Sequence, residues 1–276
     1  MINPHANHPT SLAALMRSLW QHRDLITQMT RREVVGRYRG SIMGIAWSFF
    51  NPVLMLIIYT FVFSVVFKAR WNTGSDSKSE FAVVLFAGMI IFTLFSECIN
   101  RAPSLILSNV NYVKKVVFPL EILPWVTLFS ALFHFAISLF VWMIFYAVLN
   151  HSLNWTIVFL PLILIPLAML IMGICWFLAA LGVYLRDMQQ VIGVVTTILM
   201  FISPIFFPVS SLPEKFRPFI YANPLTFIIE QARDVLMWGK LPDWPWLGAY
   251  TLGGLMFAFA GFAWFQKTKK GFADVL

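Results

Sequence analysis

Five apolar stretches of this chain contain no aspartate, glutamate, lysine or arginine, and they constrain its fold more than any other feature. The longest has 64 residues and the shortest has 16. A helix needs about 20 predominantly apolar residues to cross the hydrocarbon core of a bilayer. The stretches therefore predict an integral membrane protein built from spanning helices. They are residues 40–67, 81–96, 122–185, 188–213 and 244–266.

These stretches predict six spanning helices. The stretch 122–185 is long enough for two spans, with a break at the polar run from Asn150 to Asn154. The short second stretch extends through Glu97 to Arg101, and we expect these two side chains, four residues apart, to pair near a membrane face. The predicted spans are about 42–67, 81–101, 120–148, 155–184, 189–207 and 245–265.

The composition excludes other large classes of protein. Charged residues make up 12% of the chain and hydrophobic residues 59%, whereas soluble domains carry about 25% charged residues. So few charges cannot cover a water-facing surface, and disordered or coiled-coil chains need far more polar sequence. The net charge of +8 comes from basic residues that flank the spans, which argues against a nucleic-acid partner.

The distribution of lysine and arginine predicts the orientation in the membrane. Six spans put both ends on one side, and that side receives 13 of the 20 basic residues, against seven on the other. The positive-inside rule therefore predicts cytoplasmic termini. Residues 1–40 then form a cytoplasmic N-terminal segment, residues 41–266 the all-α transmembrane domain, and residues 267–276 a cytoplasmic tail.

Two segments on the predicted cytoplasmic side carry helical signals of their own. Within residues 12–31, apolar residues recur at helical spacing between basic residues, which predicts an amphipathic helix in the membrane interface. Between Pro103 and Pro119, the sequence predicts a short helix over 105–117. The alternatives are a solvated linker for the first segment and an ordinary interfacial turn for the second.

The stretch 203–245 holds seven of the 15 prolines. Its apolar patches are too short to cross a bilayer, and Asn223-Pro224 predicts the start of a helix over 225–238. We expect two short re-entrant helices that form a gate at the outer face, because re-entrant backbone needs shelter from lipid. The alternative is a plain surface loop.

The chain lacks the motifs of common enzymes and nucleotide-binding proteins. It has no Gly-x-x-x-x-Gly-Lys-Ser/Thr phosphate loop, and no His-Glu-x-x-His, Cys-x-x-Cys or nucleophile-elbow motif. We therefore expect neither ATP binding nor catalysis by this chain, and no cofactor or metal site. His134 stands alone in the third predicted span, where it serves either a proton relay or a structural role only.

Aromatic side chains are abundant, with 28 Phe, 11 Trp and 7 Tyr. An aromatic belt and lipid-facing packing explain most of them. A minority inside the bundle is expected to line a conduit, since aromatic faces contact the C–H groups of sugar rings without fixing a polymer in one register. The candidate channel residues are Trp47, Phe50, Tyr59, Phe201, Phe206 and Phe207. Because six helices are too few to enclose a wide pore, we also expect a homodimer.

Several motifs, in order along the chain, resemble those of a known family. Residues 32–44 (REVVGRYRGSIMG), followed by Trp47 and Asn51-Pro52, are similar to the N-terminal signature of type-2 ABC exporter membrane subunits. The closest likeness is to the branch that exports O-antigen, capsule or teichoic acid chains. Further similar segments are 118–124 (FPLEILP), 184–187 (YLRD), 203–205 (SPI) and 223–226 (NPLT). The likeness covers about residues 12–270.

The resemblance implies a homodimeric channel in the bacterial cytoplasmic (inner) membrane, driven by two copies of a separate ATPase subunit that binds ATP and Mg²⁺. The implied substrate is a polyprenyl-linked glycan. Arg37 and Arg39 lie where the interfacial helix meets the first span. They either bind the lipid pyrophosphate, which guanidinium groups hold well, or act only as positive-inside anchors.

The resemblance also assigns roles to two further groups of residues. The N-terminal helix and the short helix in 101–118 would contact the ATPase subunit. The candidates for that contact are Asn109, Lys114 and Lys115. The candidates for the outer gate region are Asn223, Pro224, Glu230 and Arg233.

Three other functions remain open on the sequence. The first is export of a small lipid, drug or haem-like molecule by the same type of transporter. The second is an ion-coupled secondary transporter that uses His134 or Glu97, although no internal repeat is evident. The third is a membrane-embedded glycan-modifying enzyme, which would need acidic or histidine clusters near one face, whereas the 12 acidic residues are scattered.

Overall fold

The computed structural model describes residues 12–66, 71, 78–115 and 118–276, without the side chains of 12–16, 64–65, 78–79 and 114–115. Across these ranges the chain is helical and contains no strand. The helices are α1 (Leu12–Gln21), α2 (Arg23–Arg37), α3 (Trp47–Tyr59), α4 (Lys78–Arg101), α5 (Val110–Lys115), α6 (Leu123–Asn150), α7 (Leu160–Tyr184), α8 (Met188–Ile202), α9 (Arg217–Tyr221), α10 (Pro224–Leu236), α11 (Trp244–Thr268) and α12 (Phe272–Val275). A π-helical segment, Thr60–Val66, continues α3, and short 3₁₀ turns join several of the other helices.

Among the described residues, five helical stretches are long and apolar enough to cross a membrane. They are Gly44–Phe63, Glu80–Ser104, Leu120–Asn150, Trp155–Tyr184 and Trp244–Val275. The predicted span over 189–207 corresponds to α8, which has 15 residues and is about 22 Å long at 1.5 Å per residue. It ends at Ile202 because Pro204 disfavours helical backbone at the residue before it. The prediction of an all-α protein with several spans is confirmed.

The two ends of the helical bundle carry different parts of the chain. We call the end that carries both terminal segments the terminal end. There the Lys269 ammonium, just after α11, lies 2.7 Å from a carboxylate oxygen of Glu121, which precedes α6. At the opposite, distal end, α10 packs against the connection between α6 and α7. The Asn154 side chain in that connection donates a hydrogen bond to the Met237 carbonyl at 2.8 Å.

Helix α4 forms the centre of the bundle. In its most apolar window 78% of the residues are buried, against 11% in the window of the first stretch. It packs against α3, α6, α7, α8 and α10. The Trp142 side chain of α6 is fully buried and donates to the Val83 carbonyl at 3.0 Å, which fixes α6 beside the start of α4.

Helices α7 and α11 approach each other backbone to backbone. A side chain on Gly261 would collide with the Gly173 carbonyl, and one on Gly173 would collide with the backbone at Phe257. Small residues at such contacts allow close packing of helices in membranes, where van der Waals contact replaces the hydrophobic effect as the driving force. This pair anchors the C-terminal part of the bundle.

Two local predictions have different outcomes. The helix predicted after Asn223-Pro224 is confirmed as α10, and the Asn223 side chain caps it by accepting from the Leu225 amide at 3.0 Å. The helix predicted over 105–117 is confirmed only in part, as α5 (Val110–Lys115). A 3₁₀ turn, Leu107–Asn109, precedes it, and residues 116–117 lie outside the described part.

Candidate functional site

A polar cavity of about 220 Å³ lies where the end of α2 meets α3, α4 and α6. Its lining includes Tyr38 after α2, Asn51 of α3, Thr93 of α4 and Ser138 of α6. Polar side chains from separate elements thus converge inside an otherwise apolar bundle. Such convergence is typical of a functional site rather than of a lipid-facing surface. We call this space the polar cavity.

Three ionisable side chains line the polar cavity and contact one another. The Glu97 carboxylate accepts from the Arg37 guanidinium and lies 2.9 Å from Nδ1 of His134. The Glu97 and His134 side chains are 11% and 13% exposed, whereas Arg37 is 50% exposed. Arg37 therefore supplies the opposite charge that a nearly buried carboxylate requires.

Aromatic edges hold the imidazole of His134 from two further sides. The rings of Tyr38 and Phe133 meet it edge-on, with centroids 6.1 and 5.7 Å away. Its Nε2 is buried and has no hydrogen-bond partner among the described residues. Burial raises the pKa of the Tyr38 hydroxyl above its ordinary value, against the influence of Arg37, so this phenol stays protonated and able to donate.

The predicted pairing of Glu97 with Arg101 is wrong. Arg101 forms an ion pair with Glu33 of α2 at 2.6 Å, while Glu97 pairs with Arg37 of the same helix. The i,i+4 rule describes an isolated helix. Here α2 presents a carboxylate and a guanidinium one turn apart, opposite the same pair of groups on α4. Each carboxylate therefore pairs with a guanidinium of the other helix, so that all four charges are paired and α2 is held against the end of α4.

The contact between His134 and Glu97 is also not predicted from the sequence, in which His134 stands alone in its span. The sequence does contain one indication of this contact. Both residues interrupt apolar stretches of consecutive antiparallel spans, and an ionisable side chain inside a membrane needs a partner. The sequence did not show which face of α6 carries His134 towards α4, because α6 is apolar on all sides.

The structure separates the two residues predicted to bind a lipid pyrophosphate. Arg37 is engaged by Glu97 and its Nη1 also lies 3.1 Å from Nδ1 of His134. Arg39 is exposed and makes no ion pair or hydrogen bond through its side chain with any described residue. The next residue, Gly40, has a φ of +86°, a left-handed conformation that favours glycine and that turns the chain between α2 and the first span.

The structure brings three of the six predicted channel aromatics together. Tyr59 lines the polar cavity, and its ring lies 6.4 Å from that of Phe63. Phe63 stacks on Phe206 at 5.9 Å, and Phe206 stacks on Phe201 at 5.9 Å. Trp47 and Phe50 are exposed on α3 and do not join this group, and neither does Phe207.

These rings continue towards the distal end. Phe63 stacks on Phe81 at 5.6 Å, and Phe81 lies 5.6 Å from Trp71. We call Tyr59, Phe63, Phe81 and Trp71 the aromatic row. It leads from the polar cavity, near the terminal end, to the distal end of the bundle.

Arg233 of α10 is buried at the distal end of the aromatic row. Its guanidinium lies 4.5 Å above the Trp71 ring, and its three nitrogens donate to carbonyls of two other segments. The acceptors are Val84 (3.1 Å), Pro204 (2.5 Å) and Ile205 (3.0 Å). Arg233 is only 3% exposed, so it joins α4, the segment after α8 and α10 into one unit.

The other predicted gate residues lie on the same helix as Arg233. Asn223 caps α10 and donates to the Ser203 hydroxyl at 2.8 Å, while Pro224 forms its first turn. Glu230 is partly buried and its carboxylate has no hydrogen-bond or ion-pair partner among the described residues. Burial raises the pKa of this carboxyl above its ordinary value, while the nearby Arg233 opposes the shift.

The residues predicted to contact an ATPase subunit lie at the terminal end. The Asn109 side chain donates to the Leu105 carbonyl at 2.9 Å and borders a small polar cavity with Glu33 and Arg101. The side chains of Lys114 and Lys115 lie outside the described part of the chain.

Within the described residues, no group of three or more His, Cys, Asp or Glu is placed to hold a metal ion.

The chain is similar in sequence to several known transport proteins. The chain is 26% identical over 262 residues to the O-antigen export system permease protein RfbA of Myxococcus xanthus, covering 94% of this chain and 98% of that protein. An RfbA permease of Klebsiella pneumoniae is 27% identical over 255 residues, covering 92% and 95%. The polysialic acid transport protein KpsM of Escherichia coli is 27% identical over 251 residues, covering 87% and 91%.

A family profile gives the broader assignment. The profile of the ABC-2 type transporter family matches residues 24–237, which is more than half of the chain. The match includes the polar cavity, the aromatic row and Arg233. This chain therefore belongs to the ABC-2 type transporter family of membrane proteins.

Proposed function

We propose that this chain is the channel-forming subunit of an ATP-driven exporter that moves a lipid-linked, O-antigen-like polysaccharide across the bacterial cytoplasmic membrane. The observation that carries the proposal is similarity over nearly the full length to permeases named for the export of two kinds of glycan, O-antigen and polysialic acid. The chain itself is a transport subunit, and ATP and Mg²⁺ bind to a separate ATPase subunit.

In this proposal the chain crosses the membrane six times, with both termini in the cytoplasm. Helix α8 is the fifth span along the chain, and it raises the number of spans from five to six. It follows Tyr184, whose hydroxyl donates to the Thr268 carbonyl at the terminal end, and it leads into Pro204 and Ile205, which Arg233 contacts at the distal end. The terminal end is then cytoplasmic, and α9 and α10 are re-entrant helices of an outer gate.

Two copies of the chain form the channel. Helices α3 and α8 expose large apolar side chains, among them Ile57 (58%) and Phe201 (61%). These faces have no partner within the described chain, and a second copy related by twofold symmetry would cover them. The aromatic row begins on α3 and is joined by Phe206 just after α8, so it lies next to the proposed interface.

The polar cavity and the aromatic row are consistent with transport of a sugar chain. Ring faces such as that of Tyr59 contact sugar C–H groups without requiring a fixed register. At the membrane surface, the free guanidinium of Arg39 attracts the lipid pyrophosphate, while Arg37 has a structural role beside Glu97. At the terminal end, α2 and the segment with Asn109, Lys114 and Lys115 contact the ATPase.

One observation favours a second candidate, an ion-coupled transporter. The contact of His134 with Glu97 resembles a proton-relay pair. Arg37 argues against it, because its guanidinium already donates to the Glu97 carboxylate, so this carboxylate is not free to pass a proton. The source of energy separates the two candidates.

The experiment deletes the gene in its host and follows newly labelled polysaccharide at the cell surface. We expect surface polysaccharide to be lost, lipid-linked glycan to accumulate inside, and a plasmid copy of the gene to restore export. In the restored strain, depletion of ATP should stop export, whereas collapse of the proton gradient at constant ATP should not.

Two results would refute the proposal. Unchanged surface polysaccharide in the deletion strain would exclude a glycan substrate and would favour a small lipid or drug-like molecule. Export that stops with the proton gradient while ATP remains constant would favour the ion-coupled transporter.

A further inference from the structure

A second polar cavity lies at the distal end, between α10 and the segment 208–221. Its volume of about 390 Å³ is within the range of about 300–1,000 Å³ that ligand pockets occupy. Unlike most pockets for apolar ligands, it is lined mainly by polar side chains, with two indole rings, Trp71 and Trp238, beside them. We call it the distal cavity.

Several hydrogen-bonding groups of the distal cavity are unused within the described chain. The Glu230 carboxylate has no partner there. Gln231 is only 8% exposed and its carbonyl oxygen accepts from the Asp243 amide at 2.7 Å, but its amide nitrogen has no acceptor among the described residues. The indole N–H of Trp238, which is half-buried, also has no acceptor among them. These groups are therefore available to hydrogen-bond a ligand.

The charges around the distal cavity disfavour an ionic ligand. Each nitrogen of Arg233 already donates to a carbonyl, and Trp71 covers its face. Arg217 donates to the carbonyls of Leu212 and Ser210. The lining therefore carries two guanidinium groups and the two carboxylates of Glu230 and Asp234. This balance of charge favours an uncharged ligand, and two carboxylates are too few oxygen ligands for a metal ion.

A sugar residue fits these groups, because each hydroxyl both donates and accepts hydrogen bonds while the C–H face of the ring packs on an indole. We propose that the distal cavity binds one uncharged sugar residue of the exported polysaccharide as it leaves the aromatic row at Trp71. Glu230 accepts from its hydroxyls, Gln231 donates to them, and Trp238 contacts its ring. This inference rests on the proposed export of a polysaccharide.

The test uses the whole exporter in its host and the host's own polysaccharide as the probe. Tyr221, which lines the distal cavity, is replaced by the photo-crosslinker p-benzoylphenylalanine. Phe219, 73% exposed and outside that lining, gives the control position, and Tyr59 gives a position on the proposed path. After irradiation, an antiserum to the polysaccharide detects glycan attached to the chain.

We expect crosslinked glycan at positions 59 and 221 and not at 219. Adding Glu230→Gln should lower the yield at 221 about tenfold while leaving the yield at 59 unchanged, since a hydrogen bond to a charged group is lost. Trp238→Phe should retain more of the yield than Trp238→Ala. Glu214→Gln, at a nearby carboxylate with 92% exposure, should have no effect.

The outcomes distinguish this inference from the proposed function. Glycan at position 59 and none at 221 during active export would overturn the distal site alone. An equal yield at 219 and 221, or no response to Glu230→Gln, would reduce the contact to a passing encounter and would also overturn it. No glycan at any of the three positions, with surface polysaccharide intact in the deletion strain, would refute the proposed function itself.

Discussion

The first two spans are neighbours in sequence and similar in hydropathy, yet they lie in opposite environments. Their most apolar windows have mean hydropathies of 1.8 and 2.2, but 11% of the first and 78% of the second is buried. In α3, side chains such as Leu54 and Ile57 are exposed, whereas in α4 residues such as Leu85 and Ile91 are fully buried.

This difference shows that apolarity has two separate causes in a membrane protein. The bilayer requires it of any span, whereas packing requires it only of spans inside the bundle. Helix α4 meets both requirements and is fixed by its neighbours. Helix α3 meets the first and leaves one face for lipid or a second copy. We therefore expect substitutions in α4 to reduce the amount of folded protein, and substitutions in α3 to change transport.

The largest expected effect comes from shortening the same residue type in each span. Leu85→Ala removes a fully buried side chain from α4, and we expect it to destabilise the protein by about 2–4 kcal/mol, mainly through the cavity it leaves. Leu54→Ala in α3, where the side chain is 45% exposed, should cost less than about 0.5 kcal/mol. The measurement is the thermal midpoint of the purified protein in detergent, together with its abundance in membranes.

A second substitution in each span tests whether the effect is specific to one position. Ile91→Ala in α4 should behave like Leu85→Ala, and Ile57→Ala in α3 like Leu54→Ala. If the two variants in α3 lowered the thermal midpoint as much as those in α4, the exposed face of α3 would be packed in the assembled protein. The difference in burial between the two spans would then exist only in the isolated chain and not in the assembled protein.

The features that the sequence predicts correctly are those imposed by the bilayer and by local backbone chemistry. The absence of charges from 122–185 requires spans there, and the polar run at Asn150 marks the break between two of them. Asn223-Pro224 predicts the start of α10, because an asparagine cap and a proline in the first turn act within a few residues. Neither inference depends on the position of any other helix.

The features that the sequence does not predict depend on how the helices face one another. Glu97 and Arg101 suit each other on an isolated helix, but α2 supplies better partners from 60 residues away. Arg233 is one arginine among many in the sequence, and only the fold shows the carbonyls that surround it. The burial of α4 rather than α3 also depends on how the helices pack, because the two spans are similar in hydropathy.

An intermediate effect is expected where α4 meets the N-terminal segment. Glu97→Gln and Arg37→Gln each break the ion pair beside His134. We expect each to destabilise the protein by about 1–2 kcal/mol, less than a fully buried pair would lose, because Arg37 is half exposed. The double variant should cost less than the sum of the two, with a coupling energy of about 1 kcal/mol. Thermal midpoints of the four proteins give this value.

Arg39→Gln is the matched control for the ion pair. Arg39 lies two residues from Arg37 and has no partner among the described residues, so its thermal midpoint should not change. Strict additivity of the Glu97 and Arg37 variants would show that the pair is not coupled in solution. In that case the end of α4 would depend on the pair of Arg101 with Glu33 alone.

The smallest effect on stability, and the clearest effect on transport, is expected at the aromatic row and at Phe206, which stacks on it. Tyr59→Ala and Phe206→Ala each remove a ring that contacts other rings without being fully buried. We expect less than about 1 kcal/mol of destabilisation but an export rate that falls about two- to tenfold. That range corresponds to the loss of one stacking contact worth about 0.5–1.5 kcal/mol in the rate-limiting step. Pulse-labelled polysaccharide at the cell surface, divided by the amount of chain in the membrane, measures it.

Phe140→Ala separates a transport role from mere aromatic content. Phe140 of α6 is 53% exposed and forms no ring contact within the described residues, so its loss should leave export per molecule unchanged. If Phe140→Ala slowed export as much as Tyr59→Ala, the rings would act through general contact with lipid. If Tyr59→Ala and Phe206→Ala lowered abundance without changing export per molecule, these rings would serve to pack the bundle, as the side chains of α4 do. Export that slows at unchanged abundance in these two variants, and not in Phe140→Ala, is the result that separates the transport surface from the packed centre.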